Sequence, residues 1–113
     1  MATHNEVLQL SEALKRANHA SAITALSVED AGTSNIDSPQ LFLNGWTDEN
    51  IKDAFDNADL RYYINPSKKK GVRVVDVIGC TRGQGDRRTA TAEAVRDSLR
   101  KDGYESYVFY QMD

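Results

Sequence analysis

The spacing of apolar residues near the N-terminus predicts an amphipathic helix. They recur at intervals of three and four residues, which gives one apolar stripe: Val7, Leu10, Leu14 and Ala17. Thr3 and Glu6 stand before that stripe at the spacing of a capping box, in which each side chain bonds to the other residue's backbone N–H. We therefore predict a helix over residues 4–18, which residues 19–28 either continue or follow as a second short helix.

Strand-like and helix-like patterns alternate from residue 40 onward. β-branched and aromatic residues predict four strands, at residues 40–43, 60–64, 72–78 and 104–110. Thr47 is a predicted N-cap, and the helix after it carries apolar residues at i, i+3, i+4 and i+7: Ile51, Ala54, Phe55 and Ala58. A second helix begins at Asp86 or Thr89 and ends before Gly103.

This strand–helix–strand–strand–helix–strand order is typical of the split βαβ, or ferredoxin-like, arrangement. We predict an α+β fold, namely a ferredoxin-like βαββαβ antiparallel sheet with both helices on one face and an additional N-terminal helix. The first and third strands are expected to lie parallel at the centre. The additional helix either covers the open sheet face or pairs with a second copy of itself.

The predicted domain organisation has three parts within one compact domain. Residues 1–28 form a helical segment, residues 29–39 an acidic linker with Gly and Pro, and residues 40–113 the βαββαβ domain.

Two partial resemblances to known families support this fold. Residues 41–45 (Leu-Phe-Leu-Asn-Gly), followed by residues 47–51 and Phe55, resemble the start of an RNA-recognition motif. Lys70-Gly71 is similar to that family's second signature, with three valines at the positions of its aromatic residues: Val72, Val74 and Val77. Each of these matches covers part of the chain, and the resemblance implies a βαββαβ sheet.

The second resemblance is to the peptidoglycan-binding SPOR domain, which has the same βαββαβ fold. Val72-Arg73-Val74, Gly79 and the helix end at residues 99–104 are similar in pattern to the second half of that domain. SPOR domains usually follow a membrane anchor, and this sequence contains no stretch of about 18 apolar residues.

Charge is distributed unevenly along the 113 residues, although the net charge is only −3. Residues 1–60 carry three basic and ten acidic side chains, whereas residues 61–113 carry eleven basic and seven acidic ones. This asymmetry indicates an anionic partner for the second half, mutual attraction of the halves within the fold, or charges that are simply solvated. The single cysteine excludes an intramolecular disulfide and favours a reducing, cytoplasmic location.

The segment most suggestive of ligand binding is a glycine- and arginine-containing loop before the last predicted helix, which begins at Asp86 or Thr89. Its glycines let backbone N–H groups approach a ligand, its arginines offer forked donors to phosphate, and the helix N-terminus favours an anion. The candidate ligand-binding residues of the loop are Arg82, Gly83, Gln84, Gly85, Arg87 and Arg88. The alternative is an ordinary turn with solvated arginines.

Parallel central strands would bring Asn44 and Trp46 next to this loop, so both belong to the predicted site. Trp46 either stacks on a nucleotide ring or packs against the helix that it precedes. At the opposite end of the sheet, Ser67 and residues 68–70 (Lys-Lys-Lys) form a charged turn or a non-specific phosphate contact.

Other candidate residues have both structural and functional interpretations. Tyr63 and Tyr107 share a sheet face only if the strand registers agree; there they pack against the N-terminal helix or form a stacking platform for single-stranded nucleic acid. Asp76 lies within a Val- and Ile-rich strand and needs a hydrogen-bonding partner. Cys80 is expected to be a buried thiol. The two histidines and their neighbours form no metal-ligand cluster, so we predict neither a metal site nor a cofactor.

Two classes of function agree with these features. One is a small non-enzymatic protein-interaction module, such as an adaptor, inhibitor, structural subunit or viral accessory protein, with another protein or a homodimer partner. The other is phosphate-directed binding of a nucleotide or nucleic acid through the Arg82–Arg88 loop. The sequence pI near 5.3 argues against general coating of nucleic acid.

Overall fold

The computed structural model describes residues 1–32, 35–66 and 69–111. It contains three α-helices and four β-strands in the order α1 (His4–Ser27), β1 (Ser38–Asn44), α2 (Asp48–Ala58), β2 (Tyr62–Asn65), β3 (Val72–Val77), α3 (Gly85–Lys101) and β4 (Glu105–Phe109). The α+β class is therefore confirmed. Outside the described residues lie Thr33 and Ser34 of the predicted linker and Ser67 and Lys68 of the lysine turn.

The N-terminal helix begins with the predicted capping box. The backbone N–H of Glu6 donates to the Thr3 hydroxyl at 3.1 Å, and the backbone N–H of Thr3 donates to the Glu6 carboxylate at 3.0 Å. The hydrogen bond from the Thr3 backbone holds the pKa of Glu6 below its usual value of 4.5. Because neither Asn18 nor His19 interrupts it, α1 continues to Ser27 as one helix.

The four strands form one antiparallel sheet in the order β2-β3-β1-β4. The first and third strands are central as predicted, but the predicted parallel orientation is wrong: Leu41 pairs with Val75 and Leu43 with Arg73 in an antiparallel register. The reason is that α2 joins β1 to β2 and α3 joins β3 to β4. The strand β3 follows β2 directly, so it runs opposite to β2 and therefore to β1.

One face of the sheet is covered by all three helices. Leu41, Leu43, Val75 and Val77 point toward the helices and belong to the hydrophobic core. The helix α1 packs against α2 and α3, and this contact buries its predicted apolar stripe: Val7, Leu10, Leu14 and Ala17. In the described part of the chain, α1 therefore does not cover the other sheet face. Its apolar stripe is buried without a second copy of the chain. No described helix is long and apolar enough to cross a membrane.

Candidate binding surface

The sheet face that points away from the helices is exposed and rich in aromatic residues. Strand alternation directs every second residue of each strand to this side. We call it the open face; its apolar members are Phe42, Tyr63, Val72, Val74, Tyr107 and Phe109. Three of the rings remain about half exposed: Tyr63 at 52%, Tyr107 at 47% and Phe109 at 50%. These values distinguish the open face from the helix-covered face, whose side chains are mostly buried.

The strand registers align four open-face residues in one row across the sheet. Tyr63 pairs with Asp76, Asp76 with Gln40, and Gln40 with Tyr107. The amide Nε2 of Gln40 donates to Oδ1 of Asp76 at 2.9 Å, which supplies the hydrogen-bonding partner predicted for that carboxylate. Tyr63 and Tyr107 therefore do share a face. The predicted packing of this face against the N-terminal helix is wrong, because α1 lies on the other side of the sheet.

The ring of Tyr107 is held between two neighbours at the β4 side of the open face. Its centroid lies 5.2 Å from that of Phe42 in an edge-to-face arrangement. The guanidinium carbon of Arg100 lies 5.0 Å from the same centroid, while Nε of Arg100 donates to the Ser106 carbonyl oxygen at 2.7 Å. Since Arg100 comes from α3, its side chain passes around β4, an edge strand of the sheet, to reach the open face. These contacts fix the position of an otherwise exposed ring.

The open face carries few charges, and they nearly balance. Asp76 and Glu105 are its carboxylates, and Tyr107 donates its hydroxyl to Glu105 at 3.2 Å. Arg100 contributes a guanidinium above Tyr107, and exposed Arg61 continues the alternation of β2 at the margin of the face. The surface thus combines aromatic and aliphatic side chains with polar ones, and it carries about as many cations as anions.

The glycines of the arginine loop, residues 82–88, make room for another part of the chain. Gly85 has φ +54°, and a Cβ at this residue would lie 2.0 Å from the carbonyl oxygen of Ala31. A Cβ at Gly83 would lie 2.3 Å from Oδ1 of Asp30. We call residues 28–37 the connecting segment; its described part lies against the start of α3. The close backbone approach expected for a ligand is therefore made by the chain itself.

The N-terminus of α3 receives its hydrogen-bond acceptors from the connecting segment. The backbone N–H of Gln84 donates to the Asp30 carboxylate at 2.8 Å, and that of Asp86 donates to the Ala31 carbonyl at 2.7 Å. Gln84 itself contributes no side-chain cap. Asp30 therefore occupies the position at which an anion was predicted to bind.

The three arginines of the loop also have partners within the chain. Nη2 of Arg82 donates to the Asn18 side-chain oxygen at 2.9 Å. Nε of Arg87 donates to the Val28 carbonyl at 2.6 Å, and Nε of Arg88 donates to the Asp37 carbonyl at 3.0 Å. These acceptors are neutral groups, and among the described residues only Arg87 of the three also forms an ion pair, with Asp30 at 3.4 Å.

The predicted proximity of Asn44 and Trp46 to the arginine loop is wrong. Because β1 and β3 are antiparallel, Asn44 at the end of β1 pairs with Val72 at the start of β3. The backbone N–H of Gly45 donates to the Gly71 carbonyl at 2.7 Å, which places this end of β1 beside the lysine turn. Trp46 is partly buried against the hydrophobic core. The predicted ligand-binding residues therefore fall into two groups at opposite ends of the sheet.

Cys80 lies at the helix-covered side and is fully buried. Burial raises the pKa of its thiol to about 12, although nearby Arg82 acts in the opposite direction. Its carbonyl oxygen accepts the Ser21 hydroxyl. Among the described residues, no group of three or more His, Cys, Asp and Glu side chains has the arrangement of a metal site.

The candidate surface was only partly foreseen from the sequence. The aromatic positions Tyr63 and Tyr107 were noted, but Phe42, Gln40 and Asp76 were not assigned to the same surface. The signal that identifies Phe42 is its position between two leucines that face the core, which directs its ring outward.

No protein-family model matches the chain, and the searches of curated proteins and of solved structures gave no significant match. The resemblances to the RNA-recognition motif and the SPOR domain therefore rest on the residues quoted for them.

Proposed function

We propose that this protein is a small non-enzymatic interaction module that binds another polypeptide through the open face. The observation that carries the proposal is the half-exposed aromatic group of Tyr63, Tyr107 and Phe109 on a sheet whose opposite face is already covered by helices. Aromatic residues are enriched at protein interfaces. Tyr63 lies in one edge strand and the other two rings lie in the opposite edge strand, so they flank a polar centre formed by Asp76 and Gln40. The fixed ring of Tyr107 reduces the entropic cost of binding.

The charges of the open face favour a polypeptide over a nucleic acid. Nucleic-acid binding derives much of its affinity from neutralising phosphates with Lys and Arg. Here two carboxylates, Asp76 and Glu105, accompany the two guanidinium groups of Arg61 and Arg100. Stacking of single-stranded nucleic acid on the tyrosines is therefore the competing outcome of the test.

The finer features of this proposal concern the fold type and the location. Each crossover helix joins strands that are separated by one other strand, which supports assignment of the sheet to the ferredoxin-like type. A single buried cysteine agrees with a reducing, cytoplasmic environment.

The experiment places a photoreactive phenylalanine analogue at position 63, in the open face, or at position 110 as a matched control. Tyr110 is exposed to 54%, close to the value for Tyr63, but its hydroxyl donates to Glu93 of α3, away from the open face. Irradiation in cells is expected to give polypeptide adducts at position 63 and none at position 110. Adducts with nucleic acid alone, or equal adducts at both positions, would refute the proposal.

Phosphate-directed binding through the arginine loop is the alternative, and it has a defined requirement. The anion would have to displace Asp30 from the backbone N–H of Gln84. A nucleotide at about 100 times its Kd would raise stability by about 2.7 kcal/mol, so a thermal-shift titration detects it directly. We expect no shift with mononucleotides or short oligonucleotides.

A further inference from the structure

We propose that the open face binds a second copy of this chain, sheet against sheet, with Tyr63 of each copy opposite Tyr107 of the other. This inference rests on the proposed function, because it names the partner for the same surface. It is carried by the order of residues across the sheet.

The row Tyr63–Asp76–Gln40–Tyr107 becomes self-complementary under a two-fold axis that runs between the sheets, parallel to the strands. Such an axis places β2 opposite β4 and β3 opposite β1 of the other copy. The two tyrosine positions then face each other, and each Asp76 faces the amide of Gln40 in the other copy. Self-complementarity of this kind is what an isologous dimer interface requires.

The next row of the open face obeys the same rule. Asn65 pairs with Val74, Val74 with Phe42, and Phe42 with Glu105. The two-fold axis therefore places Val74 opposite Phe42 and Asn65 opposite Glu105. Neither row brings two like charges together, and in both rows the aromatic rings meet apolar or aromatic partners. The aligned strands match the usual packing of two sheets.

The size of the face indicates the strength of the dimer. Four strands about 4.8 Å apart and about six residues long give a surface of roughly 19 by 20 Å. This is about half of the surface that each partner contributes to a standard interface, so we expect a weak dimer with a Kd in the micromolar range.

The experiment uses two variants with one substitution each. Each variant alone should fail to self-associate, and a mixture of the two variants should associate again. In Tyr63→Lys, the new cation lies beside Asp76 of its own sheet, but in the dimer it meets Arg100 of the other copy. In Tyr107→Glu, the new carboxylate lies near Arg100 of its own chain. In the dimer it faces Tyr63 of the other copy, next to the carboxylate of Asp76 in that copy. In the mixed dimer the two new charges face each other.

Light scattering of the wild type at about 100 μM is expected to give close to twice the mass of a monomer. Each single variant should weaken association at least about tenfold, and an equimolar mixture should recover it. Tyr110→Lys, a substitution of an equally exposed tyrosine outside the open face, should dimerise as the wild type does. Circular dichroism of each variant verifies that it is folded.

A wild type that remains monomeric, or a mixture that associates no better than its components, would overturn the dimer. Polypeptide adducts at position 63 that contain only a different protein would also overturn it, while leaving the proposed function intact. Absence of any polypeptide adduct there would remove both.

Discussion

The carbonyl oxygen of Ala31 occupies the space in which a side chain at Gly85 would begin. A Cβ at Gly85 would lie only 2.0 Å from that oxygen, and the residue has φ +54°. Gly85→Ala is therefore expected to lower the free energy of unfolding by about 2–4 kcal/mol, because it adds a backbone clash to the cost of a left-handed conformation. Urea denaturation followed by circular dichroism measures this loss.

Gly103→Ala is the matched control for this substitution. Gly103 also has positive φ, +91°, but a Cβ there meets nothing within 4 Å. Its replacement should cost only about 1 kcal/mol. Equal losses of unfolding free energy for the two substitutions would show that contact with the connecting segment is not the reason why residue 85 must be glycine.

Asp30 is expected to act as a capping residue for α3 from a distant part of the sequence. Asp30→Ala removes the acceptor for the Gln84 N–H and should lower stability by about 1–2 kcal/mol in denaturant titrations. Asp30→Asn keeps a side-chain oxygen and should lose less, since the half-exposed ion pair with Arg87 contributes little. If both variants lost the same free energy, the charge would matter more than the cap.

Two buried serines in α1 should respond to alanine in opposite ways. The hydroxyl of Ser11 has no hydrogen-bond partner in the described structure, whereas that of Ser21 donates to the Cys80 carbonyl. Ser11→Ala is expected to be neutral or to stabilise the protein, because it removes a buried polar group with no partner. Ser21→Ala should destabilise it by about 1–3 kcal/mol, because a buried carbonyl loses its donor. Thermal unfolding of both variants gives the comparison, and a reversed order would contradict it.

The burial of Cys80 predicts a pH dependence of stability. Burial raises the pKa of its thiol from 9.0 to about 12, so between these values the unfolded thiol releases its proton and the folded one retains it. Its contribution to stability is therefore complete below pH 9 and is lost as the pH rises toward 12. Relative to Cys80→Ala, the wild type should lose up to about 1.4 kcal/mol per pH unit in this range. Parallel curves of unfolding free energy against pH for the wild type and Cys80→Ala would contradict a raised pKa of the Cys80 thiol.

Local elements were predictable from the sequence because their signals are local. The side chains of Thr3 and Thr47 cap α1 and α2 as their positions predict, and the valines of β3 form a central strand. The direction of β3 was not predictable in the same way. A strand pattern has the same period in either direction, so the relative orientation of β1 and β3 depends on which strands each crossover helix connects.

The surroundings of the arginine loop were not predictable for a different physical reason. Its glycines and arginines fit an anion site equally well whether the anion is a ligand or a carboxylate of the same chain. Asp30, which lies more than fifty residues earlier, supplies that carboxylate. The acidic character of residues 29–37 was the available signal, but sequence alone does not show that this segment reaches the start of α3.

The path of Arg100 around β4 has a consequence for how copies of this protein can assemble. By donating to the Ser106 carbonyl, Arg100 occupies part of the backbone that an added strand would use. Growth from edge to edge, which has no natural end and leads to filaments, is thereby disfavoured on this side. Association through the open face would bury that face in both copies, so no further copy could add to it and the assembly would stop at a dimer. One side chain thus disfavours an extending polymer at this edge and is compatible with the proposed closed pair.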